Sequence, residues 1–416
     1  MLDIKYIREH AEEVKNNCEN RGVKVDIDKL IELDEKRRAK KSEVDTLRAA
    51  RNQGSKGKPS EEEIAKMRQV GEQIAAAEKE LTEIETAYLL ILKSVPNLTH
   101  PEVPIGGEAD FKVLSQKGEP TKFDFEAKDH EEVMLGLDLI DFERAAKVTA
   151  SKFYFVKNEL VELNHALLQY GADIAKKHGF KLIETPDLAK DEILEGIGFN
   201  PRGPEAQIYS IENSDLSLIG TAEITIGGYH SGEVLDLSKG PVKYAGISHC
   251  FRTEAGAYGK TSKGLYRVHQ FTKLEFFVFC KPEDSDKMHN HIREVEEEII
   301  QGLEVPYQVI DVASGDLGGP AYRKFDMEAW MVMKNDYGEV TSASNCTDFQ
   351  SRRLNIKYRK EDGETEFVHT LNGTALNTSR WPLIIAENYQ TKDGSIKIPS
   401  ALQKYMGGLS EITRNK

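Results

Sequence analysis

HCFRTEAGAYGKTSKGLYRVHQF, residues 249–271, decides the fold. Two runs of alternating charged and apolar residues flank a basic, glycine-rich stretch. Period-two alternation marks β-strands, where residues i and i+2 share a face. The spacing predicts a hairpin with Arg252 and Glu254 on one strand and Arg267, His269 and Phe271 in step on the other. Such a face suits a nucleotide. Arginine forks onto phosphate with two hydrogen bonds, glutamate accepts from an adenine amino group, a second arginine reaches another phosphate, and the phenyl ring stacks on the purine. The same pattern describes a cross-strand ion-pair ladder on a surface sheet, and the hairpin alone leaves both open. A GxxxxGK[ST] phosphate loop does not fit. Gly259–Thr261 supplies GKT, but Glu254 stands where the first glycine belongs, and a strand-like run follows where a helix should open.

Three further stretches extend the site. IGTAEI places Thr221 and Glu223 after a turn, and QFTKLEFFVF places Glu275 four residues past Phe271, on the same strand face. GEVTSASNCTDFQSRR (338–353) sets Glu339 and Ser342 in polar sequence, where a carboxylate beside hydroxyls can hold Mg2+ on a polyphosphate. LNGTALNTSRWPLIIAENYQ (371–390) has a turn-like start, then Arg380, then an apolar run suited to a buried helix despite Pro382. Each stretch alone also has an ordinary structural explanation. Helical patterns over about 151–178 and 284–301 alternate with strand-like VKYAGI, KLEFFVFC and EAWMVM. Hairpin signals dominate and regular βαβ alternation is absent, so an α+β fold with a mainly antiparallel sheet flanked by helices is expected. The glutamate run EVEEEII at 294–300 reads as a solvated helix face.

A chain of 416 residues suggests two domains. No apolar run approaches the ~20 residues of a membrane span, and the acidic start MLDIKYIREHAEEVK resembles neither a secretory signal nor a transit peptide. Four widely spaced cysteines without a CxxC pair fit reduced thiols and a cytoplasmic location. The net charge of −14, taken alone, argues against a nucleic-acid binder, but an average hides patches. Residues 27–93 hold such a patch. Leu30, Leu33, Val44 and Leu47 follow a 3–4 spacing, with Arg37 and Lys40 in intermediate slots; after the turn cluster NQGSKGKPS come Ile64, Met67, Ile74, Ala77, Leu81, Ile84, Tyr88 and Ile91. This predicts an antiparallel coiled-coil hairpin roughly 40–50 Å long. Lys36, Arg37, Arg38, Lys40, Lys41, Arg48, Arg51, Lys56 and Lys58 against three acids give residues 35–58 a charge of +6, leaving about −20 for the remainder. A basic arm on an acidic body suits a polyanion, although a charge run is also an ordinary solvated face. VPNLTHPEVPIGG ends the helical pattern, giving domains 1–105 and 106–416.

Taken together, these stretches resemble a class II aminoacyl-tRNA synthetase, specifically the bacterial-type seryl-tRNA synthetase family, over nearly the whole chain. GLDLIDFERAAKVTASKFYF, the hairpin, KFDMEAW, SNCTDFQSRR and HTLNGTAL…ENYQ occur in that family's order. The resemblance implies activation of serine by ATP with Mg2+ and transfer to the 3′-OH of tRNA(Ser), with tRNA(Sec) a second candidate, by a homodimer. It implies that Arg252 binds the α-phosphate and the serine carboxylate, Glu254 reads adenine, Phe271 stacks on it, and Arg267 and Arg380 reach the γ-phosphate. Thr253, Val340, Thr341 and Ser342 complete the implied ATP contacts, and Glu339 the metal site. Thr221, Ala222, Glu223, Glu275, Asn372 and Thr374 are implied to hold serine. Pro186 matches a dimer-interface proline, and the cations of the arm, Lys36, Arg37, Lys40, Lys41, Arg48, Arg51, Lys56 and Lys58, are implied to meet tRNA. Thr374 replaces a commoner serine but keeps the hydroxyl, and ALNTSR departs from a more glycine-rich stretch before Arg380. A paralogue loading a carrier protein would lack the arm. An inactive RNA-binding scaffold would not need Arg252, Glu254, Arg267, Glu275, Glu339 and Arg380 together.

Overall fold

The computed structural model describes residues 1–54, 61–199, 207–254 and 264–414. They form two compact units, Met1–Leu98 and Thr99–Lys416. The division falls before the expected boundary near 105. His100 and Val103 already belong to the second unit: His100 N–H donates to Tyr322 O at 2.9 Å, and Val103 packs with Val312 and Leu317. No helix among the described residues is long and apolar enough to cross a membrane.

The first unit is all helical: α1 (Ile4–Glu9), α2 (Ala11–Asn20), α3 (Ile27–Gly54) and α4 (Glu61–Ser94). Asp3 caps α1 by accepting from Lys5 N–H. Ile7, Val14, Cys18, Ile27 and Leu30 form a core with Tyr88, Leu92 and Val95. Farther along α3 and α4 the seam narrows to Val44, Ile74 and Ala77. Its intermediate slots hold cations that lay their stems along the seam. Arg37 lies over the Tyr88 ring at 4.7 Å, and Lys40 reaches Glu80 at 2.7 Å. Ile64, expected in the seam, is 52% exposed. The last turns of α3 (Arg-Ala-Ala-Arg) offer no large apolar side chain to cover it.

The second unit is built on an eight-stranded sheet. Its strands are β1 (Lys112–Lys117), β2 (Lys181–Glu184), β3 (Val242–Phe251), β4 (Gln270–Cys280), β5 (Tyr307–Asp311), β6 (Arg323–Met331), β7 (Asp336–Asn345) and β8 (His369–Asn377). The order is β1-β5-β6-β7-β8-β4-β3-β2, antiparallel throughout except where β2 lies parallel to β3. Its longer helices are α5 (Glu159–Lys177), α6 (Ala222–Tyr229), α7 (Ser285–Gly302) and α8 (Arg380–Tyr389). The central strand β4 is buried on both faces, which is why it reads as one apolar run. Leu274, Phe276 and Val278 join the core that contains Leu163 and Leu167 of α5 and Ile292 and Ile299 of α7. Phe277 and Phe279 join Ile224 and Ile226 of α6 on the opposite face. Phe271, Lys273 and Glu275 continue that opposite face toward the start of β4.

Three expectations are corrected. The predicted hairpin strands are shorter than their alternation: β3 ends at Phe251 and β4 begins at Gln270. Arg252 N–H still bonds His269 O at 3.0 Å, but Glu254 has φ +48° and leaves the ladder. LNGTALN is no turn. It lies in β8 between β7 and β4, and Gly373 is there because a Cβ would meet Glu296 Oε1 and Ile292 Cγ2, each at 2.4 Å. The EVEEEII run is not wholly solvated. Glu296 is fully buried under the sheet and accepts the Thr341 hydroxyl at 2.9 Å.

Candidate active site

A cleft opens on the face of β4 that carries Phe271, Lys273 and Glu275. Arg252, Glu254, Arg267, Phe271, Glu339, Val340, Thr374 and Arg380 all line it, as do Tyr266, Lys273, Asn377 and Ser379. Arg252 is held at two points. Its Nε donates to Gly220 O at 3.2 Å, and its guanidinium lies 5.3 Å from the Phe271 ring centre. Arg267 Nη1 donates to Glu254 Oε2 at 3.2 Å. The ladder reading therefore describes one real pair, although that pair sits in a cleft beyond the strand ends. Arg380 Nη1 donates to Glu339 O at 2.9 Å and lies 3.1 Å from Glu339 Oε1, with its guanidinium 4.8 Å from the Tyr266 ring centre. Asn377 fixes the base of α8, accepting Arg380 N–H at 2.8 Å and donating to Val340 O at 3.0 Å.

Deeper in lie two buried carboxylates, Glu275 and Glu223, each with its own polar partners. Glu275 Oε2 accepts from Lys273 Nζ at 2.5 Å and from the Thr374 hydroxyl at 3.3 Å. The register places Thr374 directly opposite Glu275. Glu223 stands in the first turn of α6, whose N-cap Thr221 accepts the Glu223 N–H. Gln350 Nε2 at 2.8 Å and Asn372 Nδ2 at 3.0 Å both donate to Glu223 Oε1. Burial, then repulsion from Glu275, pushes the Glu223 carboxyl up to about 7 against the Gln350 bond. Burial also raises Glu275, opposed by Lys273.

Beside Glu339, Asp326 lies directly across the β6–β7 pair from Ser342. Asp326 Oδ1 is buried without a hydrogen-bond partner. Burial raises this carboxyl to about 7, with Lys324 opposing and Glu339 adding to the rise. Among the described residues no cluster of three or more His, Cys, Asp or Glu is arranged to hold a metal alone.

Thr341 differs from expectation, because its hydroxyl bonds Glu296 beneath the sheet and does not face the cleft. Ala222 is buried at the start of α6, and Thr253 follows Arg252 after the end of β3. Pro186 is exposed in the turn after β2 and is not among the residues lining the cleft. On the first unit, Lys36 pairs with Glu32, Arg37 with buried Asp34, Lys40 with Glu43 and Glu80, and Arg48 with Glu78. Lys41 and Arg51 are exposed and make no ion pair with a described residue. Lys56, Lys58 and the GKT of 259–261 lie outside the described residues. Sequence reasoning missed Tyr266, Lys273, Asn377, Gln350 and Asp326. Strand periodicity carries Lys273, midway between Phe271 and Glu275. Gln350 arrives only through folding, from the separate helix Phe349–Leu354.

Known proteins resemble the chain in both units. Residues 208–389 match the family model of the tRNA synthetase class II core domain (G, H, P, S and T), and residues 1–99 that of the seryl-tRNA synthetase N-terminal domain. A serine–tRNA ligase of Treponema denticola is 53% identical over 98% of this chain and 99% of its own. One of Dictyoglomus thermophilum is also 53% identical, over 100% of both. Among solved structures, a seryl-tRNA synthetase from Pyrococcus horikoshii complexed with ATP superposes with a TM-score of 0.90 at 39% identity, covering 100% of both chains. A cytoplasmic serine–tRNA ligase from Naegleria fowleri in complex with AMP gives a TM-score of 0.86 at 34% identity, covering 100% of this chain and 99% of its own.

Proposed function

The chain belongs to the seryl-tRNA synthetase family, so its activity is serine–tRNA ligation, and we propose that the cleft around Arg252 and Glu275 performs both chemical steps. The observation that carries this reading is the convergence of three arginines on one cleft, Arg252, Arg267 and Arg380, the last two facing Glu254 and Glu339, with Lys273 linking the cleft wall to the buried carboxylate of Glu275. Arginines suit the anionic nucleotide tail, and the buried carboxylates Glu275 and Glu223 suit a small polar amino acid.

In the first step a serine carboxylate oxygen attacks the α-phosphorus of ATP. An O–P bond forms, the bond to the bridging oxygen breaks, and pyrophosphate leaves. Arg252 neutralises charge at the α-phosphate and aligns the carboxylate; with Nε fixed by Gly220, its Nη groups are free to fork. Glu254 accepts from the adenine amino group, Phe271 and Arg380 bracket the base, and Arg267 and Arg380 hold the tail phosphates. Positioning and charge neutralisation supply most of the catalysis. In the second step the terminal ribose 3′-OH of tRNA attacks the adenylate carbonyl, forming the ester and releasing AMP.

Glu223 Oε2 takes the serine ammonium, and Glu275 with Thr374 takes its hydroxyl. A buried pair built to bond a hydroxyl rejects analogues that lack it, because polar groups are left unpaired. Mg2+ fits the neighbourhood of Glu339, Ser342 and Asp326, since the orphaned Asp326 Oδ1 is a hard oxygen donor seeking a partner. These three residues would hold the ion together with nucleotide phosphates, and its charge would neutralise the polyphosphate. The helical arm grips tRNA(Ser), with tRNA(Sec) as a second substrate, and a homodimer forms through the region of Pro186. Four buried cysteines, none of them in a disulfide, favour a reducing cytoplasm.

ATP–pyrophosphate exchange with each of the twenty amino acids tests the reading. Exchange with serine alone supports it. Exchange with a different amino acid overturns the serine pocket, and no exchange with any overturns the catalytic reading.

A further inference from the structure

A line of hydrogen bonds just outside the cleft joins three segments that carry its nucleotide side. Met333 N–H donates to Glu387 Oε2 at 3.2 Å. Glu387 Oε1 lies 3.0 Å from His130 Nδ1, and His130 Nε2 accepts the Leu265 N–H at 3.2 Å. Because Nε2 must offer a lone pair to a backbone N–H, the proton of a neutral ring belongs on Nδ1, which then donates to Glu387. His130, Glu387 and Leu265 are all buried, so each of these polar atoms depends on its partner.

Each end of this line leads to a cleft residue. Leu265 immediately precedes Tyr266 and Arg267. Glu387 sits two turns along α8 from Arg380, on the same side of the helix. Met333 lies in the turn between β6 and β7, the strand that carries Glu339. Gly264 shows that the approach is packed: it has φ +61°, and a Cβ there would lie 2.0 Å from His130 Nε2. Only glycine admits both the backbone turn and the imidazole. His130 itself is not among the residues lining the cleft.

We infer that His130 is a positioning residue for the nucleotide half of the reaction, holding the segment with Tyr266 and Arg267 at a fixed offset from the helix with Arg380. It acts through its bond to Leu265 N–H. Among the described residues its hydrogen bonds reach Glu387 and Leu265, whereas on the serine side Glu223 and Glu275 are held by Gln350, Asn372 and Lys273. The inference rests on the proposal that Arg267 and Arg380 hold ATP.

The test compares His130→Gln with His130→Met in the full chain. The two side chains are close in volume, but only glutamine offers Leu265 N–H a strong acceptor, the methionine sulfur being a weak one. Serine-dependent ATP–pyrophosphate exchange is measured with ATP and serine varied separately, alongside melting temperature. The Met variant should raise the KM for ATP roughly tenfold, the equivalent of about 1.4 kcal/mol, with the KM for serine within about twofold. The Gln variant should stay within about threefold of the wild type for both. Equal ATP KM values in the two variants, parallel rises for both substrates, or loss of folding in both would overturn the inference and make His130 a general packing residue. Absence of serine-dependent exchange in the wild-type chain would instead strike the function proposed above, and this inference with it.

Discussion

Replacing Glu223 by glutamine should stabilise the protein at high pH and weaken its use of serine there. Glu223 Oε1 accepts from both Gln350 and Asn372, and a glutamine carbonyl can accept both bonds in the same place. Only the charge is lost. The folded-state pKa of this acid is raised from 4.5 to about 7, so folding favours the protonated form. Below about pH 4.5 the group is neutral whether folded or unfolded and costs nothing. Between 4.5 and 7 the folded state holds the proton more tightly, so stability falls as pH rises, and above about 7 the full cost is present. The shift corresponds to a cost on the order of 3 kcal/mol. Glu223→Gln should therefore melt near the wild type at pH 4.5 and roughly 4 °C above it at pH 8, for a unit of this size. The same variant should raise the KM for serine by about two orders of magnitude, because an amide does not pair with an ammonium. Thermal melts at both pH values and exchange kinetics read the two effects. A variant that melts lower at pH 8, or keeps the wild-type pH dependence, refutes the assignment of a strained carboxylate. A normal serine KM refutes the ammonium seat.

Glu275→Gln keeps an acceptor for Thr374 but removes the charge facing Lys273; exchange kinetics should show a serine KM raised about a hundredfold and an ATP KM within about threefold. Asp326→Asn should raise the Mg2+ concentration for half-maximal exchange about tenfold, read by Mg2+ titration at saturating ATP. Excising residues 41–79 and bridging them with a short glycine-serine linker should spare exchange and reduce tRNA charging at least a hundredfold. Lys40 and Glu80 meet at 2.7 Å, so the cut ends lie close, and Ile27, Leu30, Tyr88 and Leu92 of the helical core are kept. Lys41→Ala with Arg51→Ala should weaken charging and lower the log–log salt slope of tRNA binding by roughly 1–2, whereas Arg48→Ala should leave the slope near wild type.

Much of the site was legible in the sequence because its ligand chemistry sits on strands, where a two-residue spacing survives folding. Phe271 and Glu275 share one face of β4 for that reason, and Lys273 between them follows the same rule. The limits of the hairpin were not legible. Alternation continues through Glu254, but a φ of +48° there ends the strand after Phe251 without any glycine or proline to mark it. The Asn-Gly pair at 372–373 looks like a turn because those residues favour turns. Inside β8 the glycine answers a different need, the close approach of Glu296 and Ile292 from the helix below. Local sequence contains neither the helix nor its distance. Gln350 and Asp326 were invisible for the same reason: each becomes a site residue only when the sheet brings a distant carboxylate or hydroxyl beside it.

The charge of the arm shows how a window can mislead. Counted over residues 35–58 it is +6, but α4 returns alongside with eight acids against four bases. Glu78 and Glu80 engage Arg48 and Lys40, while Glu32 and Asp34 of α3 engage Lys36 and Arg37. An arginine that leaves a buried aspartate for a phosphate gives up a charge-assisted hydrogen bond made out of water, here the bond from Arg37 to Asp34 Oδ1 at 2.9 Å. Arg37 is therefore better suited to fastening the base of the arm, together with Arg8 and Arg38 on the same Asp34. On the proposed reading, phosphate binding falls to exposed cations with no ion pair to a described residue, which in the arm's first helix means Lys41 and Arg51. Net charge finds the arm; pairing decides which of its cations can act.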